Sequence, residues 1–171
     1  HMGLITFAFG MGGPIANYAG LLHMTVHSLI KSGIFFAVGH ATQKAGTQVM
    51  EDIRGLIKVS PTVGWGMMLG SLAILGMPPF GVFASEFLIL TTAMREQPWA
   101  TPFLLSLGVA FASVFSRVQP MVFGETSVKP LRHPPALLPV FVHLGLGLLL
   151  GLYIPPYLDA WYRQAARMIG G

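Results

Sequence analysis

From Ser60 to Ser85 the chain carries no charged side chain, and the run is interrupted midway by Gly76-Met77-Pro78-Pro79-Phe80-Gly81. Few environments tolerate such a stretch. Lipid does, provided the backbone satisfies its own hydrogen bonds, which for a single segment means a helix. Two consecutive prolines remove two amide donors and disfavour the helical conformation for Met77, so the helix must break there. Interruptions of this kind at membrane depth mark the discontinuous helices of transporters. Pro78, Pro79 and Gly81 are therefore expected to form a helix break.

The rest of the chain agrees with a membrane setting. Only 9% of its 171 residues are charged, against about 25% in a typical soluble domain, too few to clothe a water-facing surface. A spanning helix needs about 20 largely apolar residues. Five segments meet or approach that length, running from about Pro14 to His40, Pro61 to Met77, Pro79 to Met94, Pro102 to Phe123 and Ala136 to Ile154. Most begin at a proline, a residue tolerated in the first helical turn. The second and third are short and almost loopless, which predicts a broken or tightly reversing pair.

Met2 to Met11 is apolar but too short to cross before Gly12-Gly13-Pro14, and reads as a partial first helix from a truncated start. It lacks the charged start and cleavage site of a signal peptide. At the other end, Leu158, Trp161, Tyr162, Ala165, Met168 and Ile169 share a face from which Asp159, Arg163 and Arg167 are absent, the pattern of an interfacial helix. The expected fold is all-α: a polytopic transmembrane bundle forming one membrane domain over residues 1–171. Alternating the five spans puts Lys44, Arg54, Lys58, Arg95, Arg163 and Arg167 on one side and Arg117, Lys129 and Arg132 on the other. The positive-inside bias then makes the first side cytoplasmic.

Charged groups at membrane depth are the candidate functional residues. In "HMTVHSLIK", His23, His27 and Lys31 follow at four-residue intervals and form one slowly turning stripe on a helix. Glu86 lies near the middle of "PPFGVFASEFLIL". A charge at the bilayer centre costs about 2.5–3.5 kcal/mol on the insertion scale, and such groups face a bundle interior or a water-filled cavity, where they mark ion and proton paths. A static Lys31–Glu86 ion pair fixing helix packing is the structural alternative. His143 stands alone and reads as packing, Arg117 as snorkelling to the interface, and Glu51 and Asp52 as solvated loop residues.

Other chemistries fit poorly. With no cysteine, the chain holds no disulfide, thiolate-ligated iron–sulfur cluster or thioether-attached haem. His23-x-x-x-His27 lacks the zincin glutamate, since Met24 follows His23, and no carboxylate or histidine in the apolar spans other than Glu86 gives an obvious third ligand. Two histidines one turn apart cannot clasp opposite faces of a haem. No basic run suggests nucleic acid. No metal, cofactor or catalytic centre is expected in this chain.

Read in order, "LLHMTVHSLIKSGIFFAVGH", "RGL", "LAILGMPPFGVFASEFLIL", "SRVQPMVFGE" and "GLYIPP" resemble the antiporter-like membrane subunits of respiratory complex I. Those subunits are related to those of multisubunit sodium/proton antiporters. The likeness is strongest to component F of hydrogenase-4, of formate-hydrogenlyase-type membrane hydrogenases. By that resemblance "HMGLI" matches the start of a family helix and His1-Met2 is native. The resemblance implies a proton-translocating subunit of about fourteen helices in two inverted repeats, of which this chain supplies the C-terminal part. It carries His23, His27 and Lys31 onto the family's central hydrophilic axis, and Glu86 onto the ionisable position of its discontinuous helix. It further implies other membrane subunits and a peripheral redox module, hydrogenase or quinone-reducing, as partners in the cytoplasmic membrane. The alternative is a subunit of a multisubunit cation/proton antiporter, with Glu86 carrying a sodium ion or proton.

Overall fold

The computed structural model describes residues 1–126 and 137–170, and among these every regular element is helical. Helix α1 (Met2–Met11) is followed by α2 (Gly13–Ala45), α3 (Leu56–Val59), α4 (Pro61–Ile74) and α5 (Gly81–Glu96). Then come α6 (Thr101–Leu104), α7 (Ser106–Phe123), α8 (Leu138–Leu152) and α9 (Pro156–Ile169). Lys129, Arg132 and Ala136 lie outside the described residues.

Helix α2 is the axis of the bundle. Its 33 residues span about 50 Å at 1.5 Å per residue, more than the roughly 30 Å hydrocarbon core. Glycines bound it: Gly12 and Gly13 take positive φ at its start, and Gly46, in the left-handed region, donates to the Thr42 carbonyl at its end. Helices α1, α4, α5, α8 and α9 all pack on it. At the Gly12–Gly13 turn α1 folds back along α2, bringing Phe9 against Gly20.

The expected break is present. Helix α4 ends at Ile74 and α5 begins at Gly81. In the gap Gly76 has φ +73° and the Pro78–Pro79 peptide is cis. The Met77 amide reaches back to the Leu72 carbonyl at 3.0 Å. Of the two arrangements expected for this pair, broken or reversing, the structure takes the first. Gly66 of α4 faces Ala37 and Gly70 faces Ile34, Gly81 faces Val26, and the end of α5 shares a cavity with the start of α2. Helices α4 and α5 thus run antiparallel to α2 in succession and make one interrupted pass.

A second interruption lies between α8 and α9, which meet at 75°. Val140 of α8 packs near Gly66, and Gly151 lies against the α4–α5 break. Helix α9 then follows α2 towards its start: Tyr162 donates to Thr25 at 2.7 Å, Tyr18 to Asp159 at 2.8 Å and Asn17 to the Ala166 carbonyl at 3.2 Å. Its amphipathic pattern is divided between partners, because Tyr162 and Ala166 are buried while Tyr157, Trp161 and Met168 stay exposed.

Among the described residues the chain follows the α2 axis as α2 itself, α4–α5, α6–α7 and α8, with α1 as a half-length return and α9 turned 75° from α8. Among the described residues α2 and α7 are individually long and apolar enough to cross, and the bent α8–α9 pair makes a third candidate if it counts as one span. The second and third of the five segments expected from sequence form one interrupted pass, because Pro78 and Pro79 divide a span rather than joining two.

The sidedness expected from five alternating spans changes with this count. The 46–60 segment and the end of α7 share one side, where Arg117 lies 3.4 Å from Glu51 and Gly124 adjoins Arg54 and Gly55. The α5–α6 connection joins the start of α2 and the end of α9 on the other. Arg95 and Arg167 therefore stand opposite Arg54 and Lys58, and Arg117 joins the latter group.

Candidate functional site

The α1 return positions a cluster that neither helix makes alone. His1 stacks on His23 at 5.5 Å between ring centroids and lies 5.1 Å from His27, and the last two are 5.9 Å apart. His23 is completely buried, while His1 and His27 are half-buried. Together the rings bring ligand-capable nitrogens to within 4.8 Å of one another.

Helix α5 completes the site with adjacent residues. Ser85, fully buried, has its hydroxyl 3.0 Å from the Gly81 carbonyl and 2.9 Å from that of Val82, and 2.8 Å from His23 Nδ1. A hydroxyl has one proton to give; with that proton on a backbone carbonyl, His23 Nδ1–H would donate to Ser85 Oγ and leave the Nε2 lone pair directed elsewhere. Among the described residues Nε2 has no hydrogen-bond partner, nor do the buried Nδ1 atoms of His1 and His27.

The Glu86 side chain is only 14% exposed, and its Oε1 lies 3.2 Å from His1 Nδ1, an ion-pair contact without hydrogen-bond geometry. Its carboxylate sits over Gly76, where a Cβ would collide with Oε2. The positive φ and the missing side chain of Gly76 are thus both used at one point, where the helix break meets the acid. The arrangement is chemically a cluster of proton donors and acceptors, His1, His23 and His27 in mutual ring contact, with Glu86 beside His1 and Ser85 holding the buried ring of His23.

Lys31 is placed otherwise than expected. It is exposed on the surface of the chain, its Nζ 5.4 Å from the Phe35 ring centroid. Two causes combine. Four residues turn an α-helix about 40° past a full circle, so the stripe rotates from buried His23 through half-buried His27 to exposed Lys31. Helix α1 also covers α2 only as far as His27. A Lys31–Glu86 ion pair is absent among the described residues, the contact of Glu86 being with His1.

His143 behaves as a packing residue, with Nδ1 2.7 Å from the Pro139 carbonyl and its ring against Phe36. Arg117 pairs with Glu51 at 3.4 Å, and both side chains stay exposed, as expected of a solvated loop residue and its surface partner. His1, Ser85 and Gly76 are the site residues that motif reading passed over. His1 had a signal: it stands eleven residues before Gly12 and His23 ten after Gly13, so a reversal at that pair aligns them.

These features define a polytopic membrane bundle with a titratable cluster at a helix break. Residues 1–116 match the family described as NADH:quinone oxidoreductase/Mrp antiporter, TM. The chain belongs to that transmembrane family. It is 43% identical over 172 residues to a hydrogenase-4 component F homolog of Methylacidiphilum infernorum, covering 99% of this chain and 36% of that protein. To NADH-quinone oxidoreductase subunit N of Desulforudis audaxviator it is 27% identical over 171 residues, covering 90% and 34%. Respiratory complex I from Thermus thermophilus contains a chain of the same fold, with a TM-score of 0.83 at 23% identity over 100% of this chain and 38% of that one. The chain spans about a third of the length of the curated relatives it matches.

Proposed function

We propose that this chain forms part of a proton-translocating membrane subunit of a respiratory redox complex of the hydrogenase-4 or NADH-quinone oxidoreductase type, in the cytoplasmic membrane. The observation that carries the reading is the juxtaposition of His1, His23 and His27 with Glu86 at the α4–α5 interruption. Intramembrane ionisable residues that face one another are the usual elements of a proton relay. The break supplies what a relay needs beside it, since backbone groups freed there require water or polar partners. In this reading His27, His23 and His1 pass protons, Glu86 loads and releases them, and Lys31 carries a switchable charge on a face left for a neighbouring segment or subunit. Other membrane subunits and a peripheral redox module supply the driving energy through the local field. No cofactor within the chain is called for.

The sodium-carrying alternative has weaker support, because an oxygen cage around Glu86 would need the Ser85 hydroxyl. That group is engaged with His23 and two backbone carbonyls.

Glu86→Gln in the assembled complex tests the reading. Redox-driven proton uptake by inverted vesicles should fall by roughly a factor of a hundred, the scale of a lost acid–base group, while assembly is retained. Undiminished uptake would refute it.

A further inference from the structure

The geometry points to a binding site for a divalent transition-metal ion, of the zinc class, formed by His1, His23 and His27 with Glu86 beside it. The sequence offers His23 and His27 on one helix with Glu86 as the one obvious third ligand; the return of α1 adds a third imidazole. Each ring presents one buried nitrogen that has no hydrogen-bond partner among the described residues: His1 Nδ1, His23 Nε2 and His27 Nδ1. Three imidazoles with an open fourth position are a recurring zinc arrangement. Here the fourth position falls to water or to the Glu86 carboxylate, 3.2 Å from His1 Nδ1.

Metal-ligating histidines typically have the second ring nitrogen held by a hydrogen bond, which fixes the tautomer and raises the basicity of the ligating nitrogen. His23 is already held in this way by Ser85 at 2.8 Å. A tetrahedral ion with Zn–N distances of about 2.1 Å sets its ligand atoms about 3.4 Å apart. The observed spacings, within 4.8 Å, would have to shorten to that value, which asks the half-buried His1 ring to turn out of its stack on His23 and His27 to rotate, with buried His23 left in place. A cavity bordered by His1, Gly3, Leu4, Phe7, Trp99 and Leu107 gives access from the α1 side. A bound ion would tie α1 to α2 and occupy the His23 lone pair. It would therefore block a relay through these rings, a consequence that rests on the proposed function; the site itself does not.

The test is zinc titration of the detergent-solubilised full-length protein against a chromophoric chelator. Visible absorption of the cobalt-substituted protein reports the geometry. One zinc per chain and a tetrahedral cobalt spectrum are expected. His1→Gln, His23→Gln and His27→Gln should each lower affinity at least roughly tenfold, and Ser85→Ala about 10–100-fold through loss of the supporting hydrogen bond. His40→Gln and His143→Gln should leave affinity unchanged. His1→Gln lies at the half-buried edge and keeps the test decisive if a substitution at buried His23 fails to fold. No stoichiometric binding by the unmodified chain would overturn the site, as would binding indifferent to His1→Gln and His27→Gln. Binding lost on His40→Gln or His143→Gln would equally overturn it. None of these readouts involves proton movement, so failure of the proposed function would leave the result intact.

Discussion

Lys31 shows how a single side chain can separate two explanations of the same charge. In a structural ion pair, arginine would serve as well as lysine, and methionine would strand Glu86. The described structure removes the contact that explanation needs, since Glu86 meets His1 and Lys31 lies exposed beside Phe35. If Lys31 must release its proton, a guanidinium cannot replace it, being protonated at all accessible pH. In the assembled complex Lys31→Arg and Lys31→Met should both keep normal assembly and both reduce redox-driven proton uptake by roughly tenfold or more. Normal uptake with arginine would end the switching role. At this scale the sequence disclosed His23, His27 and Glu86 through their cost at membrane depth. It did not disclose Ser85, a small polar residue that carries no such cost, and its value lies in a hydrogen bond across 62 positions.

The elements depend on close backbone approach more than on side-chain bulk. Association of helices in lipid is carried by packing and by small residues that let backbones meet. At Gly151 of α8 an added Cβ would lie 2.6 Å from the Gly81 amide and 2.6 Å from the Phe80 carbonyl carbon, atoms that cannot swing aside. Gly145, in the same helix, has open space around the equivalent position. Gly151→Ala should destabilise the bundle by about 1–3 kcal/mol, the usual cost of overpacking. Gly145→Ala should stay within about 0.5 kcal/mol of the parent. Thermal unfolding in detergent, followed by helix content, distinguishes them, and equal melting would show that the break is not seated on α8. Proline positions made the helix ends legible in sequence to within a few residues. Whether the segments beside Pro78 and Pro79 continue or reverse was not legible, because two prolines end a helix in the same way in either case. The succession of contacts along α2, Gly70 at Ile34, Gly81 at Val26 and Arg95 near Pro14, decides it.

At the scale of the whole molecule, treating α4–α5 as one interrupted pass changes which loops share a side. The 46–60 segment and the α5–α6 connection lie at opposite ends of the α2 axis, whereas two complete spans between them would put both on the same side. Charge alone discriminates weakly: Lys44, Arg54, Lys58 and Arg117 face Arg95, Arg163 and Arg167, and the positive-inside tendency then favours the first group as cytoplasmic. The chain contains no cysteine, so single reporters can be introduced without removing any native thiol. Gln48→Cys lies in the first loop and Gln97→Cys in the second, both outside the helices. In right-side-out vesicles a membrane-impermeant maleimide should label one and spare the other, and inverted vesicles should give the reverse pattern. With the charge bias as stated, Gln97→Cys is the one labelled from outside. Labelling of both positions from the same side would restore two full crossings between Pro61 and Glu96. It would also remove the helix break as the neighbour of Glu86, because only an interrupted pass sets Gly76 and the carboxylate at the same depth as His1 and His23.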